Sequence, residues 1–290
     1  MAQHLRGIRS VPWKVNEIVR ADRDTAQMIE DISRNGLVYT VPLLKDAVLG
    51  SLGIRGKEGA ENVVVVGCAC FGTLNAVMSA FRLLDTLSID YALLKKEYCC
   101  GLPMIIYKIK LGEDRSEMDI VAKEFIGMNI DQARKLGAKR LLYLCPWCIY
   151  LARHFYPGCD MELLYYLDIL DEPIRKASLR LSQPTRIAYF PGGQHRSWVY
   201  VPDRDWDLNW PDYRTLLDGI DGLTVIDVPK YCCVIAPDAI FRWAQRYNTS
   251  TVVTPCMPCY GRLQRRAPEG VKVKFLSDLL LEALESPRGI

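Results

Sequence analysis

The chain of 290 residues has the length of about two domains. Half of it is hydrophobic and 24% is charged, an ordinary globular balance, and a formal net charge of +3 is too small to argue for nucleic acid. Eleven cysteines are the outlying feature; the opening MAQHLRGIRSVPWK lacks an apolar h-region, so thiols in a reducing, cytoplasmic setting are expected rather than a secreted disulfide framework.

Residues 1–60 carry no cysteine and read as an N-terminal extension that packs on the body or on a partner. Within it, Asp22 to Ile32 has helical spacing, with Ala26, Ile29 and Ile32 on one side, and Leu43 to Leu52 suggests a second short helix. Asn62 to Phe81 carries no charge and has the length of a membrane span. Its content points elsewhere: Val63 to Val66 is a β-branched run that stops at Gly67, and Cys68, Cys70, Gly72, Thr73, Asn75 and Ser79 follow. That is a buried strand, a loop and a helix, and no transmembrane segment is expected.

From residue 61 the chain repeats itself. Val63–Cys68 corresponds to Arg186–Gly193, each a strand ending at a glycine turn. Asp90–Cys100 corresponds to Leu223–Cys233, each a strand running into Tyr-Cys-Cys. A helical segment follows, with Met118, Val121, Phe125 and Met128 as an apolar stripe in the first copy. Arg140–Cys148 and Ser250–Cys259 are apolar strands ending in C-P-W-C and C-M-P-C, and Cys159–Leu167 matches Val271–Leu279. Strands alternating with helices predict an α/β fold: two pseudo-repeated, Rossmann-like halves with parallel sheets, over 61–172 and 185–290. The linker is placed around Asp171 to Thr185, where Pro173 and Pro184 bracket a short helical stretch. The basic clusters Arg262, Arg265, Arg266 and Arg134, Lys135, Lys139, Arg140 read as solvated faces.

Ligands of such sheets gather at the carboxyl ends of strands. All three cysteine stations of the first copy follow predicted strands, which brings Cys68, Cys99, Cys100, Cys145 and Cys148 to one edge. Thiolates are soft ligands for iron–sulfur clusters and zinc, and one zinc ion needs only four. Cys70 is an additional thiol, read as a spare ligand, a substrate-handling group or a small buried side chain. In the second copy Gly193 stands where the first cysteine is expected, and Val234 follows Cys232–Cys233 in place of glycine. Cys232, Cys233, Cys256 and Cys259 remain, enough for a cubane 4Fe–4S cluster or tetrahedral zinc. His195, two residues past the vacant position, is a candidate ligand or proton-transfer group.

The ordered set Cys68, Cys99-Cys100-Gly101 and Cys145-Pro-Trp-Cys148 resembles the cysteine-rich CCG domain of the B-type subunits of heterodisulfide reductases and their relatives, over about residues 61–285. The resemblance implies that these five cysteines bind a noncubane 4Fe–4S cluster that acts on a disulfide. It implies an oxidoreductase subunit working with other iron–sulfur and flavin subunits on a disulfide, thiol, persulfide or lipoate-bound sulfur substrate. The pattern departs from the family in spacing: 44 residues separate Cys100 from Cys145, which an insertion in a loop near Ile106 to Ser116 would explain. Two alternatives stay open. One is an E-type succinate dehydrogenase subunit passing electrons toward quinone, against which the acidic Asp22, Asp24, Glu30 and Asp31 weigh. The other is an interaction module held by structural zinc. No P-loop or dinucleotide-binding glycine fingerprint is present, so flavin or nucleotide chemistry belongs to a partner.

Overall fold

The computed structural model describes residues 25–37, 42–68, 72–192, 213–229 and 231–285. Gly193 and His195, Cys70, Asp22 and Asp24 lie outside these residues. The uncharged stretch resolves as expected into strand β1 (Asn62–Val65) and helix 74–86, and no helix of the described residues is long and apolar enough to cross a membrane.

The chain divides into two compact units. The first comprises the described parts of 1–72 together with 90–166. Its sheet has the order β2-β1-β3-β4, with β2 Ala92–Leu93, β3 Arg140–Tyr143 and β4 Glu162–Tyr165. Every pairing is parallel, and β1 sits between β2 and β3 with Val64 opposite Leu93 and Leu142. All four residues of β1 are buried, as a central parallel strand covered on both faces requires. Helices α1 (Thr25–Asn35) and α2 (Pro42–Ser51) of the extension belong to this unit, so its described residues pack on the body. The buried face of α1 is Met28 and Ile32; Ala26, expected inside, is exposed.

The second unit comprises 73–89, 167–192 and the described residues from 213 onward. Helix α3 (Leu74–Thr86), which follows β1 in the chain, is counted here and packs on the C-terminal helix Leu276–Glu285. The sheet has the order β6-β5-β7-β8: β5 Arg180–Tyr189, β6 Asp221–Asp227, β7 Thr251–Thr254 and β8 Lys272–Phe275. All pairings are again parallel, so both units share one strand order.

Two expectations are corrected. Ile106 to Ser116 is not a loop: α4 runs Leu102–Leu111, and a four-residue turn leads to α5 (Ser116–Lys135), with α6 (Pro146–Phe155) after β3. The stripe on α5 is rotated, with Met118, Ala122, Phe125, Ile126 and Asn129 buried, while Met128 is 42% exposed. The segment Asp171 to Thr185 holds a short helix, α7 Asp171–Lys176, followed by the first half of β5; α8 (Pro237–Arg246) then follows β6. Of the basic residues in the first unit, Arg134 pairs with Asp131 and Asp160, Lys139 with Glu61 and Arg140 with Glu162, all at exposed positions.

Candidate metal centre

Three neighbouring strands of the first unit deliver cysteines to one edge. Cys68 follows β1, Cys99 and Cys100 follow β2, and Cys145 follows β3, around the point where the strand order reverses. Cys145 is the N-cap of α6, Pro146 fills the first helical turn, and Cys148 lies in that turn with its N–H donating to the Cys145 carbonyl at 3.1 Å. Cys100 and Gly101 lead directly into α4. Both cysteine pairs therefore stand at helix N-termini, where unsatisfied N–H groups and the helix dipole favour anionic sulfur.

The five thiols form one contact chain. The Sγ atoms of Cys68 and Cys99 are 3.4 Å apart. Side-chain hydrogen bonds link Cys99 to Cys100, Cys100 to Cys148 and Cys148 to Cys145, and all five thiols are free. Each is between 1% and 7% exposed. For Cys99 the hydrogen bond with Cys100 pulls the pKa down, but the contact with Cys68, and then burial, carry it well above the usual thiol range. For Cys100 the bond with Cys148 lowers the pKa; the bond with Cys99 and burial outweigh it and push the thiol up. Cys148 is pushed up by its contacts with Cys100 and Cys145, then by burial.

This donor set can be tested against an iron–sulfur cluster. Five buried sulfurs in mutual contact cannot ionise together without a compensating cation, which a metal centre supplies. Among the described residues, no three His, Cys, Asp or Glu groups stand around one point as a single ion demands. A row of five soft donors suits a polynuclear centre better than one ion. Tyr143, at the end of β3, adds an orphan donor. It is 1% exposed, and its hydroxyl has no hydrogen-bond partner among the described residues. Burial, then the charges of Cys148 and Cys100, hold its pKa well above the usual phenol range, so it remains a donor. The residues fit the group.

The loop that carries Cys99 and Cys100 is gripped by groups that no local pattern in the chain singles out as functional. Asn129 on α5 accepts from the Tyr98 N–H at 2.8 Å and donates to the Tyr98 carbonyl at 2.7 Å. Gln132, one turn on, accepts from the Lys96 N–H at 3.3 Å and donates to its carbonyl at 2.7 Å. Two side-chain amides thus act as a missing neighbouring strand. Phe125 stacks on Tyr98 with centroids 6.0 Å apart. On the extension side, Cys99 N–H donates to the Gly36 carbonyl at 2.7 Å, and the Glu97 carboxylate, also buried, accepts from the amides of Val66 and Gly67. The one visible signal for Asn129 and Gln132 is a pair of amides, three positions apart, beside an apolar stripe; Glu97, close to lysines, gives none.

In the second unit, Cys233, Cys256 and Cys259 lie in one apolar cluster with Ala188, Phe190 and Ile240. Cys233 and Cys259 Sγ are 3.3 Å apart. Cys256 is the N-cap of α9 (Met257–Arg266), and its sulfur accepts from the Cys259 N–H at 3.4 Å. The contact with Cys259, then burial, raises the Cys233 pKa, while Arg262, 3.8 Å from its sulfur, opposes this. Cys232 is 3% exposed, and its carbonyl accepts from Ala236 N–H. Cys159 stands apart, half-buried, with its sulfur 3.8 Å from Asp160.

Residues 63–151 match the family model described as CCG, cysteine-rich domain. Similar curated proteins are subunits of the dihydromethanophenazine:CoB–CoM heterodisulfide reductases of Methanosarcina barkeri and Methanosarcina mazei. The first is 27% identical over 138 residues, 45% of this chain and 32% of that protein. The second is 27% identical over 134 residues, 44% of this chain and 31% of that protein. The chain thus spans about a third of the length of the curated relatives it matches. Among solved structures, an aspartate racemase homologue from Pyrococcus horikoshii OT3 aligns over 77% of this chain and 97% of its own, at 10% identity and a TM-score of 0.32. Cys68, Cys99-Cys100-Gly101 and Cys145-Pro-Trp-Cys148 all lie inside the span that matches the CCG cysteine-rich domain, and the chain is similar to these heterodisulfide reductase subunits.

Proposed function

We propose that this chain is a cytoplasmic iron–sulfur subunit of a heterodisulfide-reductase-like complex. It acts on a disulfide, thiol or persulfide, with electrons exchanged through partner iron–sulfur and flavin subunits. The observation that carries this reading is the unbroken contact chain of Cys68, Cys99, Cys100, Cys148 and Cys145 at the carboxyl edge of a parallel sheet. In this reading those five hold a noncubane 4Fe–4S cluster, and Cys232, Cys233, Cys256 and Cys259 hold a second centre, a 4Fe–4S cluster or zinc. When bound, the first cluster supplies the electrons that open a sulfur–sulfur bond, two electrons and two protons giving two thiols.

The chain's own residues prepare that chemistry. The buried walls of β1 and β3, Val63 to Val66 and Leu141 to Leu144, exclude water from the sulfurs and strengthen every charge interaction there. Tyr143 keeps its phenol proton and brings a hydrogen-bond donor close to Cys148 and Cys100. The helix N-termini after Gly101 and Cys145 stabilise ligand thiolates.

The test is anaerobic purification with measurement of iron, acid-labile sulfide and zinc per chain, followed by electron paramagnetic resonance. Iron and sulfide with a cluster signal are expected. Cys145→Ser should abolish that signal and Cys256→Ser should leave it. A preparation holding zinc alone would sink the proposal.

A further inference from the structure

The residues before the matched span, 25–60, hold one group that reaches the cysteine loops directly. Lys45, on α2, is 5% exposed and lies 3.0 Å from Glu97, whose side chain is fully enclosed. The same Glu97 oxygen accepts from the Val66 N–H at 2.9 Å, and the other accepts from the Gly67 N–H at 2.5 Å. Lys45 also donates to the Leu94 carbonyl at 3.3 Å. One carboxylate therefore ties three segments: the end of β1 just before Cys68, the stretch two residues before Cys99, and the extension. Gly36 closes the arrangement from α1. Its φ is +84°, and a Cβ there would stand 2.2 Å from the Glu97 carbonyl.

Buried ion pairs are rarely the best way to stabilise a fold, because both charges lose their hydration. This one is placed where it fixes the two loops whose sulfurs must meet, 3.4 Å apart at Cys68 and Cys99. We propose that Glu97 and Lys45 are positioning residues for the cofactor, and that the extension is thereby part of the cluster-binding unit. Neither residue touches the cofactor. Glu97 locks the backbone on which two ligands ride, and Lys45 keeps that carboxylate aimed at the two amides. The inference rests on the iron–sulfur reading above.

The experiment compares the full chain with Lys45→Met, Glu97→Gln and the double variant Lys45→Met/Glu97→Gln. After anaerobic reconstitution with iron and sulfide, two quantities are read: the rate of iron release to a chelator, and thermal melting of the metal-free protein followed by circular dichroism. Lys45→Met leaves an uncompensated carboxylate and should lower both melting temperature and iron retention. The double variant restores neutrality, so melting should recover; but glutamine has one acceptor oxygen where the carboxylate sets a separate oxygen against each amide, so iron release should remain roughly tenfold to a hundredfold faster than wild type. Wild-type release from the double variant overturns the proposal, since the pair then serves only to neutralise itself. Where the double variant does not fold, Glu97→Asp carries the test, since it keeps the charge but shortens the reach to the Val66 and Gly67 amides: faster release with unchanged melting supports positioning. Wild-type values of both, or loss of folding there as well, overturn it. A wild-type chain that binds no iron and sulfide would instead defeat the function itself, so the two failures are distinguishable.

Discussion

Gly101 completes the Cys-Cys-Gly motif for a reason visible at atomic scale. Its φ is +78°, and an added Cβ would lie 2.5 Å from the Cβ and 2.9 Å from the Cα of Ala122. The turn that points both cysteines inward thus needs a left-handed residue pressed against α5. Gly101→Ala should cost about 2–4 kcal/mol, combining left-handed strain with overpacking. Denaturant unfolding of the metal-free chain would check this; a loss below about 0.5 kcal/mol, the range of neutral surface changes, would refute it. In the second unit Val234 follows the cysteine pair, and the next helix, α8, begins at Pro237, not two residues after the second cysteine as in the first unit. The replacement of glycine there goes with a different exit from the pair.

At the scale of elements, α5 shows why an apolar stripe misplaces a helix face. Met128 is exposed and Asn129 is buried because the helix must present Asn129 and Gln132 to the backbone of Lys96 and Tyr98. Two good amide pairings fix the rotation more strongly than one methionine. Asn129→Leu would strand the Tyr98 N–H and carbonyl, each at about 1–3 kcal/mol. The expected loss in denaturant unfolding is therefore about 2–6 kcal/mol, with faster hydrogen exchange at the Tyr98 amide. Unchanged exchange there would show that the loop is held by other contacts.

Across the whole molecule, two units with the same strand order carry unequal thiol sets. The first depends on residues that precede the matched span: Met28, Ile32, Leu37, Leu49 and Ile54 are each at most 7% exposed. Burying such a side chain is worth about 1.5–3 kcal/mol apiece, against a whole-domain stability of about 5–15 kcal/mol. Deleting residues 1–60 should therefore abolish cooperative folding of the first unit. Near-ultraviolet circular dichroism of the truncated chain would report lost tertiary signal; a native-like melt would refute the expectation.

Much of this architecture was legible in the chain. The β-branched run at Val63 to Val66, the turn at Gly67 and the C-P-W-C after Arg140 to Leu144 are local patterns, and they repeat in the same order in each half. Local propensity and alternation suffice to place strands, and parallel strands with helical crossovers bring their carboxyl ends to one edge. What only the tertiary structure decided is how that edge is held. Tyr98 finds Asn129 across 31 positions, and Lys45 finds Leu94 across 49. Nothing local marks Glu97, just after two lysines, as the residue that receives two backbone amides and a buried ammonium. A carboxylate enters a protein interior only when its partners converge on it, and convergence is a property of the folded chain.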